Sequence, residues 1–217
     1  ARVAPGGQIV EIGSFRGRST IVLASAAADG VDVIAVDPHA GNDRGPNEIA
    51  GFAAEAEDDH EVFLANLATA GVADRVRHVR AFSDAAHEQI DGEVALLYID
   101  GAHRYAPARA DVRDWGARVA PRGTMLIHDS FSSVGVTLAI LRELVWSSRF
   151  RYVGRSRSLT EYRADLAPGT RARLVNAMRQ LAQLPWFATN LTVKVLLTVR
   201  LGRVLRRLTG REPEWPY

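Results

Sequence analysis

Cysteine is absent from this 217-residue chain. That removes disulfides, thiolate nucleophiles and Cys-ligated zinc together. Long apolar runs are also absent. Although 47% of the residues are hydrophobic, no run approaches the ~18 residues needed to span a bilayer, and no signal-peptide pattern opens the sequence. A cytoplasmic protein without a transmembrane segment is the expectation. Lysine is nearly missing, since Lys194 stands alone among 27 basic residues; the Arg- and Ala-rich composition suits a high-GC genome. There are no internal repeats and no low-complexity tract, so one ordinary globular body with a sizeable core is expected.

The net charge of +2 hides an uneven split. Residues 1–150 carry 14 Arg against 21 acids, net −7, whereas residues 151–217 carry 12 Arg and one Lys against four acids, net +9. An acidic catalytic body over residues 1–165 and a basic helical extension over residues 166–217 are expected. The extension would serve as a lid or dimerisation element, or face an anionic surface.

Gln8 to Ile12 reads as a strand, followed by the glycine-bearing turn of residues 13–19 and a helix from Thr20 to Ala28 capped by Ser19 or Thr20. Asp32 to Val36 is a second strand. Residues 39–58 read as a loop and an acidic helix start, and Val62 to Ala70 as a helix stopped by Gly71. Arg75–Val79, Val94–Ile99 and Gly123–Ile127 are further strands, separated by a short helix Ser83–Ile90 and a helix Arg109–Val119, with another helix Val134–Val145 after the last. This alternation predicts a parallel, doubly wound sheet. Arg151–Val153 and Leu159–Tyr162 are too close for a parallel crossover, so they form an antiparallel hairpin. The predicted fold class is α/β, a seven-stranded, mostly parallel sheet closed by an antiparallel hairpin, with helices on both faces. Two Arg-rich helices, Arg171–Leu184 and Leu191–Leu208, follow, with Pro185 between them.

Two strand ends carry the most chemistry. Ile99-Asp100-Gly101-Ala102-His103 and Ile127-His128-Asp129 are apolar runs that end abruptly in ionisable residues, and open α/β sheets bind ligands at the carboxyl ends of their strands. Asp100 and Asp129 can each give one carboxylate to Mg2+, which takes oxygen ligands and keeps several waters. His128 is either a third ligand, favouring Mn2+, Fe2+ or Co2+, or a core histidine pointing the other way. His103 is the candidate general base, or else a residue that caps the next helix. Tyr105 and Asp111 either support His103 or pack. Ser83 either lines a purine or caps a helix. His39, His60, His78 and His87 lack metal-ligand spacing along the chain and read as surface residues.

Gly13, at a strand-to-helix turn, lets the backbone approach a ligand, and the helix start offers unpaired N–H groups. The pattern Gly13…Gly17-x-Ser19 is not G-x-G-x-x-G, which counts against a dinucleotide. Asp37, 24 residues after Gly13, is placed to accept hydrogen bonds from a ribose diol. A tight turn with a helix-capping acid is the plainer alternative.

With these stretches in view, the chain resembles the class I S-adenosylmethionine-dependent methyltransferases. Within them it is similar to the group holding metal-dependent sugar O-methyltransferases of macrolide pathways and cephalosporin hydroxylase-like proteins. The resemblance covers roughly residues 7–163 and rests on residues 9–19, Val36-Asp37-Pro38, Ile99 to Tyr105 with Asp111, and Pro121-Arg122-Gly123-Thr124 with His128-Asp129. It implies that Glu11, Gly13, Ser14 and Ser19 surround the methionine moiety of S-adenosylmethionine and that Asp37 binds its ribose. It also implies Mg2+ on Asp100 and Asp129, with His103 as base. The group often has an acid where His128 stands and a glycine where Arg122 stands. Its members cover the acceptor with helices placed before the first strand, a role the basic C-terminal helices would take here if they do not build a homodimer.

The implied activity is O-methylation of a sugar or saccharide hydroxyl, with a mannose oligosaccharide or glycosylated metabolite of an actinobacterial pathway as one acceptor class; nucleic acid is not an expected partner. Two other functions remain open on sequence alone. One is a hydroxylase or NAD-linked oxidoreductase on a similar sheet. The other is a non-catalytic binding protein acting through Arg200, Arg203, Arg206 and Arg207, although the apolar Leu196, Val199, Val204 and Leu208 suit packing against the body or a second subunit.

Overall fold

The computed structural model describes residues 3–4, 6–40, 53–167 and 169–198. Seven strands form one sheet: β1 (Gln8–Ile12), β2 (Asp32–Val36), β3 (Val76–Val79), β4 (Val94–Ile99), β5 (Val119–Ile127), β6 (Arg151–Ser156) and β7 (Leu159–Arg163). Their order is β3-β2-β1-β4-β5-β7-β6. The first five are mutually parallel, and β7 runs antiparallel between β5 and β6. The order reverses between β1 and β4, which opens a crevice at their carboxyl ends.

Both sheet faces are apolar, so both need covering. Successive residues of β1 serve opposite faces: Ile9 packs with Ala24 of α1 (Arg18–Ala26) and with Phe63 and Leu67 of α2 (Ala53–Thr69). Val10 belongs to a larger core holding Ala108 of α3 (Tyr105–Ala110), Trp115, and Ala139 and Ile140 of α4 (Val134–Glu143). Side chains such as Val10, Leu97, Trp115 and Met125 are fully buried, each stabilising by roughly 1.5–3 kcal/mol.

Several elements depart from the sequence expectation for local reasons. Helix α1 starts at Arg18 with Gly17 as N-cap and no side-chain cap, because Ser19 and Thr20 turn their hydroxyls to Glu11. Helix α3 begins at Tyr105, four residues early, since Pro107 falls in its first turn, where no N–H is needed. It passes into a π-helical turn, Asp111–Trp115. The segment expected to be a short helix at 83–90 is a 3-10 turn, Ala85–Glu88, capped by Asp84. Strand β5 begins at Val119, and Arg122 takes a left-handed φ of 64° inside it, which accounts for a glycine preference at that place.

The chain then covers the sheet edge. Asn176 of α5 (Thr170–Leu181) accepts from the Tyr152 amide on edge strand β6 at 2.7 Å and donates to the Phe150 carbonyl at 3.0 Å. Gln180 accepts from the Tyr162 hydroxyl and donates to the Leu144 carbonyl. Helix α6 (Leu184–Thr198) starts at Pro185's neighbour rather than at Leu191, the proline lying in its first turn. Its Asn190 and Lys194 donate to the carbonyls of Phe131 and Ser132. Val199, Arg200, Arg203, Val204, Arg206, Arg207 and Leu208 lie outside the described residues. Among the described residues no helix is long and apolar enough to cross a membrane.

Candidate active site

Gly13 sits where β1 and β4 come together. Its φ is +86°, and a Cβ there would lie 2.3 Å from the Asp100 carbonyl oxygen, so only glycine fits. The ladder continues past the strand ends: the Asp100 amide donates to Ile12 and the His128 amide to Ile99. This aligns Gly13, Asp100 and His128 across three adjacent strands.

Behind the loop, Glu11 is fully buried. Thr20 and Ser19 donate to it, yet burial dominates and pushes its carboxyl up to about 7. Its Oε1 and the buried Ser14 Oγ have no hydrogen-bond partner. Asp37, just past β2, accepts from the Phe15 amide through Oδ2 and from the His39 amide through Oδ1, both at 2.8 Å. Phe15 and His39 each adopt φ 44°, a strained conformation for a bulky residue, and these turns bring both amides onto one carboxylate.

Two cavities meet at this junction. The smaller, about 410 Å3, is lined by Asp37, His39, Phe82, Ser83 and Asp111. The larger, about 1380 Å3, is lined by Ser14, Ser19, Tyr98, His103, His128 and Asp129. Gly13, Phe15, Asp100 and Gly101 form the wall they share. Glu11 lines neither; it holds the loop–helix junction from behind. Ser83 caps no helix. Its hydroxyl donates to Asp111 at 2.5 Å, and burial raises the Asp111 carboxyl to about 6. Asp111 therefore serves the small cavity, not His103, a role its helical spacing from His103 concealed.

At the ends of β4 and β5, His128 Nδ1 lies 3.0 Å from Asp100 Oδ1 and 3.6 Å from Asp129 Oδ1. Its contact with Asp100, foremost, holds the imidazole above its ordinary pKa while burial opposes. Despite this closeness, the buried nitrogen makes no regular hydrogen bond. Asp129 is held at φ 51°. Ser132 donates to its Oδ1, and its Oδ2 lies 3.1 Å from His103 Nε2. His103 is half exposed and faces the larger cavity. The result is an oriented imidazole–carboxylate pair, the arrangement a general base needs. Asp100, His128 and Asp129 are not among the described residues whose ligand atoms all come within 4.8 Å of one another. A divalent cation would have to draw the two carboxylates together around the imidazole, which would favour Mn2+-like ions over Mg2+.

Of the remaining histidines, which the sequence suggests are surface residues, none is fully exposed. His39 is buried, and its ring lies about 5 Å, centroid to centroid, from those of His60 and His78. His87 stacks on Trp115 at 4.1 Å, and burial lowers its pKa. His39, His60 and His78 converge from different elements, so linear spacing could not reveal their grouping.

Residues 10–130 match the family described as Methyltransferase domain. The uncharacterized protein y4gI of Sinorhizobium fredii is 32% identical over 126 residues, 57% of this chain; the chain spans only 13% of that relative's length. Among solved structures, the O-methyltransferase NovP superposes with a TM-score of 0.58 at 16% identity, covering 73% of this chain and 72% of its own. A Clostridium thermocellum chain assigned as an rRNA methylase gives 0.54 at 13% identity, over 75% and 90% of the two chains. A Streptococcus mutans chain assigned as a methyltransferase and solved with S-adenosylhomocysteine gives 0.50 at 11% identity, over 75% and 90%. At such identities the superpositions speak to the fold, while the family match covers more than half of the sequence. The chain belongs to the methyltransferase-domain family and has the class I S-adenosylmethionine-dependent methyltransferase fold.

Proposed function

We propose that the chain is an O-methyltransferase that transfers the methyl group of S-adenosylmethionine to a hydroxyl of a sugar or another vicinal polyol. The observation that carries this is the pair of cavities joined at Gly13, Asp100 and Gly101, with a ribose-type acid on one side and an oriented His–Asp pair on the other. Asp37 retains a lone pair on each oxygen for a ribose diol beyond its two amide contacts. Ser83 and Asp111 would line the purine. Ser14 and Ser19 would face the methionine moiety, and Glu11 would position the loop. S-adenosylmethionine, when bound, supplies an already activated methyl group, so the protein's task is orientation and proton removal.

His103 takes the proton of the acceptor hydroxyl, with Asp129 Oδ2 fixing the ring and stabilising its charged form. Asp100, Asp129 Oδ1 and His128 would hold a divalent cation, Mg2+ or a softer ion. When bound, it would lower the pKa of the acceptor hydroxyl. The fold-mate NovP is named an O-methyltransferase, which agrees with a site built to deprotonate a hydroxyl. The sugar class rests on the sequence resemblance alone.

Residues 166–217 would act as lid or dimer element beside a catalytic unit of residues 1–165. Lys194 reaches the loop that follows Asp129, and Leu174, Val175 and Met178 of α5 leave an apolar face exposed, which suits a homodimer. Light scattering on the eluting protein would give twice the monomer mass, falling to the monomer in Val175→Glu/Met178→Glu; a wild-type monomer would rule the dimer out.

Calorimetry with S-adenosylhomocysteine tests the cofactor side. Wild type binds and Asp37→Ala weakens binding at least about tenfold, roughly 1.4 kcal/mol. With an accepted sugar found by screening, His103→Ala keeps that binding but lowers kcat by about 10²–10⁴. No binding by wild type, or full turnover by His103→Ala, would overturn the proposal.

A further inference from the structure

We propose that His39, His60 and His78 form a second, separate metal site, a three-imidazole centre for a zinc-like transition metal ion. His39 follows β2, His60 lies on α2 and His78 on β3. Among the described residues these three form the group whose ligand nitrogens all lie within 4.8 Å of one another. Around zinc at 2.0–2.1 Å, tetrahedral ligand nitrogens are about 3.4 Å apart, so closure needs side-chain shifts on the order of an ångström.

The polar partners of the rings point the same way. His39 is 4% exposed. Its Nε2 lies 2.8 Å from the Phe15 carbonyl, which places the proton there and leaves a lone pair on Nδ1. That Nδ1 is buried without a hydrogen bond. His78 is hydrogen-bonded to the Asp37 main chain, while its Nε2 is also buried and unsatisfied. Metal-ligating histidines commonly anchor one ring nitrogen on a main-chain carbonyl or carboxylate and present the other to the ion. Two unsatisfied imidazole nitrogens within one histidine cluster are otherwise hard to account for in a folded core.

The electrostatics allow a cation. Burial and the neighbouring rings hold His78 down to about 4, so at neutral pH it need not lose a proton to bind. Asp37 Oδ1 stands 3.9 Å from His39 Nδ1 and brings negative charge. Arg80 opposes it, with its guanidinium 3.2 Å from His60 Nδ1; a bound ion would replace that contact whichever nitrogen His60 offers. Phe63, with its ring centroid 5.2 Å from that of His39 and 4.8 Å from that of His78, walls the site with apolar surface. Three imidazoles without a carboxylate ligand select zinc, cobalt or copper over magnesium. Since the His39 amide also holds Asp37, an ion here would tie β2, β3 and α2 to the ribose acid.

The test uses untagged, chelator-treated full-length protein titrated with Co2+ and followed by its visible ligand-field bands. Wild type develops the strong bands of a four-coordinate site at one equivalent, and Zn2+ displaces them. The Asp100→Asn/Asp129→Asn protein keeps them, because it alters only the other candidate site. His78→Ala abolishes them. His60→Gln, a mild change on the helix checked for folding by circular dichroism, weakens Co2+ at least about tenfold. Absence of bands in wild type, or their persistence at full strength in both histidine variants, or their loss in the aspartate variant, overturns the proposal.

Discussion

Burial holds the Glu11 carboxyl near 7 even though two hydroxyls donate to it. Its pKa in the unfolded chain is about 4.5, so the folded state keeps a proton that the unfolded state has already released. Stability from this group is therefore greatest below about 4.5, declines as pH rises toward 7, and above 7 carries the whole burial penalty, on the order of 3 kcal/mol. Asp111, raised from 3.8 to about 6, acts in the same direction over a lower window. Glu11→Gln should flatten the higher part of that decline. Urea midpoints from pH 4 to pH 9 should leave the two proteins alike in acid and Glu11→Gln more stable by about 1–3 kcal/mol at pH 8; parallel curves would show that Glu11 does not titrate in that range. The acids at strand ends were readable from sequence because an apolar run closing in Asp100 or Asp129 fixes both strand and end. The His103–Asp129 contact follows from adjacency of those ends. Asp111 with Ser83, and His39 with His60 and His78, were not readable, since each grouping joins residues 18 to 39 positions apart through strand order and helix rotation.

At the scale of elements, the position of His103 depends on how closely α4 approaches the loop before α3. A Cβ on Gly135 would lie 2.1 Å from the His103 carbonyl oxygen and 2.7 Å from the Tyr105 amide nitrogen. Helix propensity alone makes Gly135→Ala stabilising by about 1 kcal/mol. The backbone clash is larger, because neither the carbonyl nor the helix can yield without moving the whole element, so a net loss of about 1–3 kcal/mol is expected. The loop would shift and His103 would leave Asp129. Turnover should fall at least about tenfold, roughly 1.4 kcal/mol, while S-adenosylhomocysteine affinity, set beyond Asp100, stays within about twofold. A stabilised and fully active Gly135→Ala protein would show that this contact does not position His103. Element types, from the five parallel strands to the closing hairpin, followed from periodicity and linker length. Boundaries did not, because prolines in first turns (Pro107, Pro185) and a left-handed Arg122 read as breaks in a linear scan.

At the scale of the whole molecule, the charge split suggests two parts, but the packing joins them. Asn176 and Gln180 on α5 are buried and satisfy backbone groups of Leu144, Phe150 and Tyr152 in the body. Asn190 and Lys194 on α6 do the same for Phe131 and Ser132 beside the Asp129 turn. An edge strand whose amide is taken by a side chain of the extension cannot keep its surroundings when the extension leaves. The two parts should unfold together, in one transition with the same midpoint by fluorescence and circular dichroism. Asn176→Ala leaves one buried donor and one buried acceptor without partners, at about 1–3 kcal/mol each. In a chain of this size, where 1 kcal/mol moves Tm by about 2–4 °C, Tm should fall by roughly 5–15 °C while the single transition persists. S-adenosylhomocysteine affinity at a temperature below both transitions should hardly change, because Asn176 touches neither cavity. Two separate transitions in the wild type would instead make residues 166–217 an independent unit docked on a finished catalytic body.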